Sequence, residues 1–127
     1  MQRSRHLVAV VDDEASVRKA LRRLFTSAEL DCSVFASGRA FLDAVRQEGG
    51  PDCAVIDLHM PGLTGLDVQR ELRSAGASVP TIIITAHDEP DSRARCLAAG
   101  AIAYLRKPFD DKALLDLVSS TFHASAN

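Results

Sequence analysis

No stretch of this sequence approaches the roughly 20 consecutive apolar residues needed to span a bilayer. The apolar run Leu7–Val11 leads straight into Asp12 and is too short for a signal peptide, although Arg3 and Arg5 precede it. There is no C-x-x-C pair. The three cysteines, Cys32, Cys53 and Cys96, lie far apart. An odd, scattered set excludes a disulfide framework or a zinc site and reads as reduced thiols. Cys32 and Cys53 fit as small core hydrophobes, and Cys96 falls on a helix whose buried face the spacing leaves open. Charge of one sign is lacking too. Lys plus Arg is 15 and Asp plus Glu is 17, a net charge of −2. Nothing here suggests a domain built mainly to hold nucleic acid or an anionic membrane. Repeats, low-complexity tracts and internal linkers are absent. What is present is globular: 127 residues, 46% hydrophobic and 25% charged. That is one domain, able to bury about two-thirds of the surface its unfolded chain exposes. The expectation is a soluble, cytoplasmic protein whose domain covers residues 7–122, with an N-terminal tail at 1–6 and a C-terminal tail or linker stub at 123–127.

The dominant pattern alternates short apolar runs with amphipathic stretches. Leu7–Val11 is continuously apolar, as in a strand buried on both faces. Val17, Ala20, Leu21, Leu24, Phe25 and Ala28 follow at helical spacing, with Arg18, Lys19, Arg22 and Arg23 between them. A weaker strand covers Cys32–Phe35, and Ser37 is placed to cap a helix carrying Phe41, Ala44 and Val45 that Gly49-Gly50 closes. Cys53–Ile56 is the third strand. Thr64-Gly65-Leu66-Asp67 is a capping signal for a helix ending near Gly76. Thr81–Thr85 is a β-branched fourth strand. Pro90 suits the first turn of the next helix and Gly100 its end. Ala101–Leu105 is the fifth strand, and Asp110 can cap a last helix bearing Leu114, Leu117, Val118 and Phe122. Five βα units with continuously apolar strands imply a parallel sheet covered on both faces. The fold class is α/β: a doubly wound, flavodoxin-like, five-stranded parallel sheet of order 2-1-3-4-5.

In such a sheet ligands bind beyond the carboxyl ends of the strands. Asp12, Asp13 and Glu14 follow the first strand, Asp57 ends the third, Thr85 ends the fourth, and Lys107-Pro108 follows the fifth. Strands 1, 3, 4 and 5 are neighbours in that order, so these groups converge in one crevice. Each alone has an ordinary reading as a turn or rim residue, and Tyr104 could be simple packing. Together, clustered carboxylates need a counter-ion, and Mg²⁺ suits a shallow site with few protein oxygens and several waters. A carboxylate beside the metal can attack phosphorus, with the metal and a lysine neutralising the phosphoryl oxygens.

The ordered set Asp12-Asp13-Glu14, Asp57-Leu-His-Met-Pro61-Gly62, Thr85-Ala86-His87, Gly100-Ala, Tyr104 and Lys107-Pro108-Phe109 resembles the receiver domain of two-component response regulators, over about Leu7 to Phe122. The wording around Phe35–Gly38 and Leu105–Phe109 looks most like the FixJ-like subgroup. The resemblance implies that Asp57 accepts a phosphoryl group from a sensor histidine kinase. It implies direct Mg²⁺ coordination by Asp13, coordination by Asp12 through water, and further ligands from Asp57 and the backbone carbonyl of His59. It makes Lys107 the phosphoryl partner, Thr85 and Tyr104 the switch pair, and the Lys107–Pro108 peptide cis. It also implies a homodimer or output surface on the fourth helix and fifth strand, and no direct contact with nucleic acid or membrane. His59 and His87 lie where the family varies. They could orient water, shield the aspartyl phosphate, or merely decorate the rim.

The expected activity is a signalling switch with self-catalysed phosphoryl acceptance and autodephosphorylation, not an enzyme. The alternative is a phosphohydrolase of the haloacid-dehalogenase type. That type needs a second Asp two residues after its nucleophile, where this chain has His59, and there is no room for a cap domain. A flavodoxin-like electron carrier would want a Ser/Thr/Gly-rich phosphate cradle after the first strand, and that loop is acidic here.

Overall fold

The computed structural model describes residues 5–125. Its elements run β1 (Leu7–Val11), α1 (Ala15–Ser27), β2 (Asp31–Phe35), α2 (Gly38–Glu48), β3 (Cys53–Asp57), α3 (Gly65–Ser74), β4 (Thr81–Thr85), α4 (Ser92–Ala98), β5 (Ala103–Arg106) and α5 (Asp111–Ser125). The five strands are all parallel and lie in the order β2-β1-β3-β4-β5. The expected fold class is the one observed.

Strand alternation divides the core. Ala9, Val11, Ala54, Ile56 and Ile83 point to one face, where Phe41, Val68, Leu72 and Cys96 of α2, α3 and α4 cover them. Val8, Val10, Cys53, Val55, Ile82 and Ile84 point to the other face, under Leu21 and Phe25 of α1 and Leu114 and Val118 of α5. Strands buried on both faces read as unbroken apolar runs for this reason. Cys53 and Cys96 are buried and Cys32 half-buried; none is paired. Burial pushes the Cys32 and Cys53 thiols up to about 11, so they behave as apolar fillers.

The capping signals are realised. The Ser37 hydroxyl accepts from the Ala40 amide, Thr64 and Asp67 form a reciprocal capping box, and Asp110 accepts from the Ala113 amide. Three boundaries differ from expectation. Pro90 sits before α4 rather than in its first turn, because Asp91 takes a left-handed conformation (φ 70°) and becomes the N-cap without a side-chain bond. β5 begins at Ala103, not Ala101. Gly100 turns at φ 111°, and register with β4 starts only at Ile82↔Ala103. At the C-terminus α5 continues to Ser125, past the expected boundary at 122. Residues 1–4 and 126–127 of the two expected tails lie outside the described residues.

Candidate functional site

The carboxyl ends of β1, β3, β4 and β5 carry the polar groups. Asp12 follows β1, its amide donating to the Phe35 carbonyl at the end of β2 at 3.1 Å. Asp57 is the last residue of β3, and the next amide, Leu58, donates to Ile84 of β4 at 2.8 Å. Both carboxylates are buried, at 0% and 4% exposure. Asp13 is exposed at the mouth. One carboxylate oxygen from each of Asp12, Asp13 and Asp57 lies within 4.8 Å of the others.

Lys107 reaches in from the loop after β5. Its Nζ donates to Asp12 Oδ2 at 3.0 Å and stands 3.6 Å from Asp57 Oδ1. Asp12 is tied on every side: its Oδ1 accepts from the Glu14 amide at 2.9 Å, and its carbonyl accepts from the Arg18 guanidinium at 2.8 Å. The Lys107–Pro108 peptide is cis, as the resemblance implied.

One ammonium faces three carboxylates. Burial, and then the charge of Asp12, push the Asp57 carboxyl up to about 6 from its ordinary 3.8; Lys107 pulls the other way and Asp13 adds to the rise. Burial alone would lower the Lys107 ammonium. The hydrogen bond and charge of Asp12, with the charges of Asp57 and Glu14, outweigh burial and leave it raised. An all-oxygen donor set with surplus negative charge and one exposed member fits a hard divalent cation that keeps part of its water shell.

Thr85 is fully buried at the end of β4. Its hydroxyl donates to the His87 carbonyl at 3.0 Å and accepts from the His87 amide at 3.1 Å. The Tyr104 ring is buried with Ile83, Cys96 and Ala101, and its hydroxyl donates to Asp88 Oδ1 at 2.9 Å. Burial and that bond push the Tyr104 phenol up to about 12. Thr85 and Tyr104 therefore meet through the β4–α4 loop, one holding His87 and the other Asp88.

His59 and His87 flank the mouth, their rings 6.0 Å apart at 69°. His59 Nε2 lies 3.1 Å from the His87 carbonyl. A carbonyl only accepts, so Nε2 is the donor in this contact. Three contributors escaped the sequence reading. Arg18 and Asp88 look like ordinary surface charges until the fold brings them to Asp12 and Tyr104. Gly65 reads as part of a cap, yet a Cβ there would stand 2.7 Å from the Asp57 carbonyl oxygen and 3.0 Å from Leu58 Cα. Its missing side chain lets α3 start directly against the end of β3.

A family model described as "Response regulator receiver domain" matches residues 8–119. Nodulation protein W of Bradyrhizobium diazoefficiens is 39% identical over 112 residues, 88% of this chain and 49% of that protein. Transcriptional regulatory protein FixJ of Azorhizobium caulinodans is 38% identical over 120 residues, 94% of this chain and 56% of that protein. The chain thus spans about half the length of these relatives. Among solved structures, the response regulator StyR superposes with a TM-score of 0.87 at 37% identity, over 97% of this chain and 62% of that one.

Proposed function

This chain belongs to the response regulator receiver domain family, and from that premise we propose that it is a phosphorylation-controlled switch with Asp57 as the acceptor. Receiver domains act as signalling switches rather than as classical enzymes. The observation that carries the assignment is the convergence of Asp12, Asp13 and Asp57 within 4.8 Å, with the Lys107 ammonium between the two buried members. In the reaction, an Asp57 carboxylate oxygen attacks the phosphorus of a phosphohistidine on a sensor histidine kinase. The O–P bond forms, the P–N bond breaks, and the electron pair leaves with the imidazole. Lys107 pairs with the phosphoryl oxygens as their charge redistributes. Asp13 would hold a Mg²⁺ ion directly, Asp12 through water, and Asp57 and the His59 backbone carbonyl would complete the protein ligands; the ion would supply further neutralisation of phosphoryl charge.

The Thr85 hydroxyl then leaves His87 for the phosphoryl group, shifting the β4–α4 loop, and the Tyr104–Asp88 bond carries the shift to β5. The output or dimer surface is the α4–β5 face, where Leu97 and Ile102 are exposed. Residues 7–122 form the switch unit. Hydrolysis of the aspartyl phosphate resets it. A haloacid-dehalogenase-type hydrolase is not favoured: the position two residues past Asp57 holds His59, whose ring is committed to the β4–α4 loop.

Incubation with acetyl phosphate and Mg²⁺ tests the assignment. Mass spectrometry should show one added phosphoryl group on the wild type, none on Asp57→Asn, and none without the metal. A fully modified Asp57→Asn protein would remove Asp57 from the role.

A further inference from the structure

The His87 carbonyl accepts two hydrogen bonds from two different strand ends. One comes from the Thr85 hydroxyl at 3.0 Å, the other from His59 Nε2 at 3.1 Å. The Glu89 carboxylate is 4.0 Å from the same His59 nitrogen, too far to take the bond. His59 thus spans from the β3–α3 loop to the β4–α4 loop and shares an acceptor with the buried hydroxyl that begins that loop. Two donors on one acceptor are partly redundant. Losing either leaves the loop backbone held, and losing both leaves that carbonyl to solvent.

We propose that His59 is a positioning residue: its Nε2–H and the Thr85 hydroxyl jointly hold the His87 carbonyl, so that the loop backbone keeps its anchor when the hydroxyl turns to a phosphoryl group on Asp57. The proposal rests on the switch reading above and adds a residue to it. His59 does not touch the reacting atoms in this role. It substitutes for Thr85 at the carbonyl that Thr85 must release. Without it, departure of the hydroxyl strips the loop of both side-chain tethers at His87, leaving the Tyr104–Asp88 bond to hold it.

A double-mutant cycle on the unphosphorylated full chain tests this. Thr85→Val removes one donor to the His87 carbonyl, together with the acceptor of the His87 amide, at nearly constant volume. His59→Leu removes the other, and His59→Gln restores an amide N–H at the position of Nε2. Two signals are read: amide hydrogen exchange across residues 86–91, and the absorbance and fluorescence of Tyr104. Tyr104 is the only tyrosine and the chain has no tryptophan, so its signals report the bond to Asp88 without background. Thr85→Val/His59→Leu should exchange about fivefold faster in that loop than the product of the two single effects, with a matching change in the tyrosine signal. Thr85→Val/His59→Gln should behave as Thr85→Val alone. A double mutant equal to the product of the singles, or a Gln variant that does not rescue, overturns the anchor. Phosphoryl uptake at Asp57, measured separately by mass, distinguishes the two levels. Uptake without coupling overturns the anchor alone. Coupling in a protein that takes up no phosphoryl group overturns the switch reading and, with it, the role given to the anchor.

Discussion

At the scale of single residues, Asp57 sits in a place hostile to its own charge. Its carboxyl is pushed up to about 6 by burial and by Asp12, against 3.8 ordinarily. The folded protein therefore binds more protons than the unfolded chain between about pH 4 and 6, so this contribution to stability falls as pH rises through that window. Above it, the metal-free protein carries a penalty of roughly 2–3 kcal/mol by the linkage relation. Asp57→Asn removes the penalty at nearly constant shape, while Asp12 still holds Lys107 at 3.0 Å. In the presence of chelator, Asp57→Asn should be more stable than the wild type by about 1–3 kcal/mol at pH 7.5. The gain should shrink toward pH 4. Denaturant midpoints at the two pH values decide it, and equal stabilities at pH 7.5 would contradict the electrostatic account. The proposed phosphoryl acceptor is thus a residue the fold tolerates at a cost, as functional carboxylates often are.

At the scale of elements, two helices are set against the site in different ways. α3 begins in backbone contact with β3, because Gly65 has no Cβ to meet the Asp57 carbonyl and Leu58 Cα. Both neighbours are backbone and cannot swing aside. Gly65→Ala should destabilise the domain by about 1–3 kcal/mol and slow phosphorylation by acetyl phosphate, since α3 must move off the strand end that presents Asp57. Full activity and stability in Gly65→Ala would show that α3 is free to shift. α4 is fastened to α3 at its C-terminal end. Gln69 and Arg73 of α3 donate to its last carbonyls, Ala99 and Ala98, and Gln69 also bonds Thr81 at the start of β4. Its N-cap, Asp91, makes no side-chain capping bond. Movement of the Thr85 loop should therefore displace the N-terminal end of α4 more than its C-terminal end. Hydrogen exchange on protein treated with a beryllofluoride mimic should change most across residues 86–95 and in β5. Changes confined to α1 and α2 would count against this route.

At the scale of the whole molecule, two strand ends, β1 and β3, bring three carboxylates to one point, and the two core layers hold them there. Lys107 offsets part of that repulsion, and a divalent cation would offset more. Mg²⁺ held by this cluster would bind the folded chain alone, so it should raise the melting temperature in proportion to the logarithm of its concentration. Asp13 is exposed, while both oxygens of Asp12 are already engaged by Lys107 and the Glu14 amide. Asp13→Ala should therefore abolish most of the Mg²⁺-dependent shift while leaving the metal-free stability nearly unchanged or slightly raised. An undiminished shift in Asp13→Ala would remove Asp13 from the metal shell.

Much of this was written along the chain. Continuous apolar runs separated by amphipathic stretches impose a parallel sheet covered on both faces, because a strand buried on two sides has no polar side to alternate. The 2-1-3-4-5 order then places whatever follows β1, β3, β4 and β5 together, which is why Asp12, Asp13, Asp57, Thr85 and Lys107 could be named as one crevice. Local signals also decided the caps at Ser37, Thr64 and Asp110, where donor and acceptor lie three residues apart. Contacts between residues distant in sequence belong to the tertiary structure. Tyr104 on Asp88 and His59 on the carbonyl shared with Thr85 each join groups whose spacing carries no periodic signal. The same holds for Gly65, whose need to be glycine comes from a backbone that only packing brings within 3 Å. Residue type determined which chemistry was available at the strand ends. Packing decided which side chains hold one another in place while that chemistry occurs, because those bonds depend on distances that only the folded layers set.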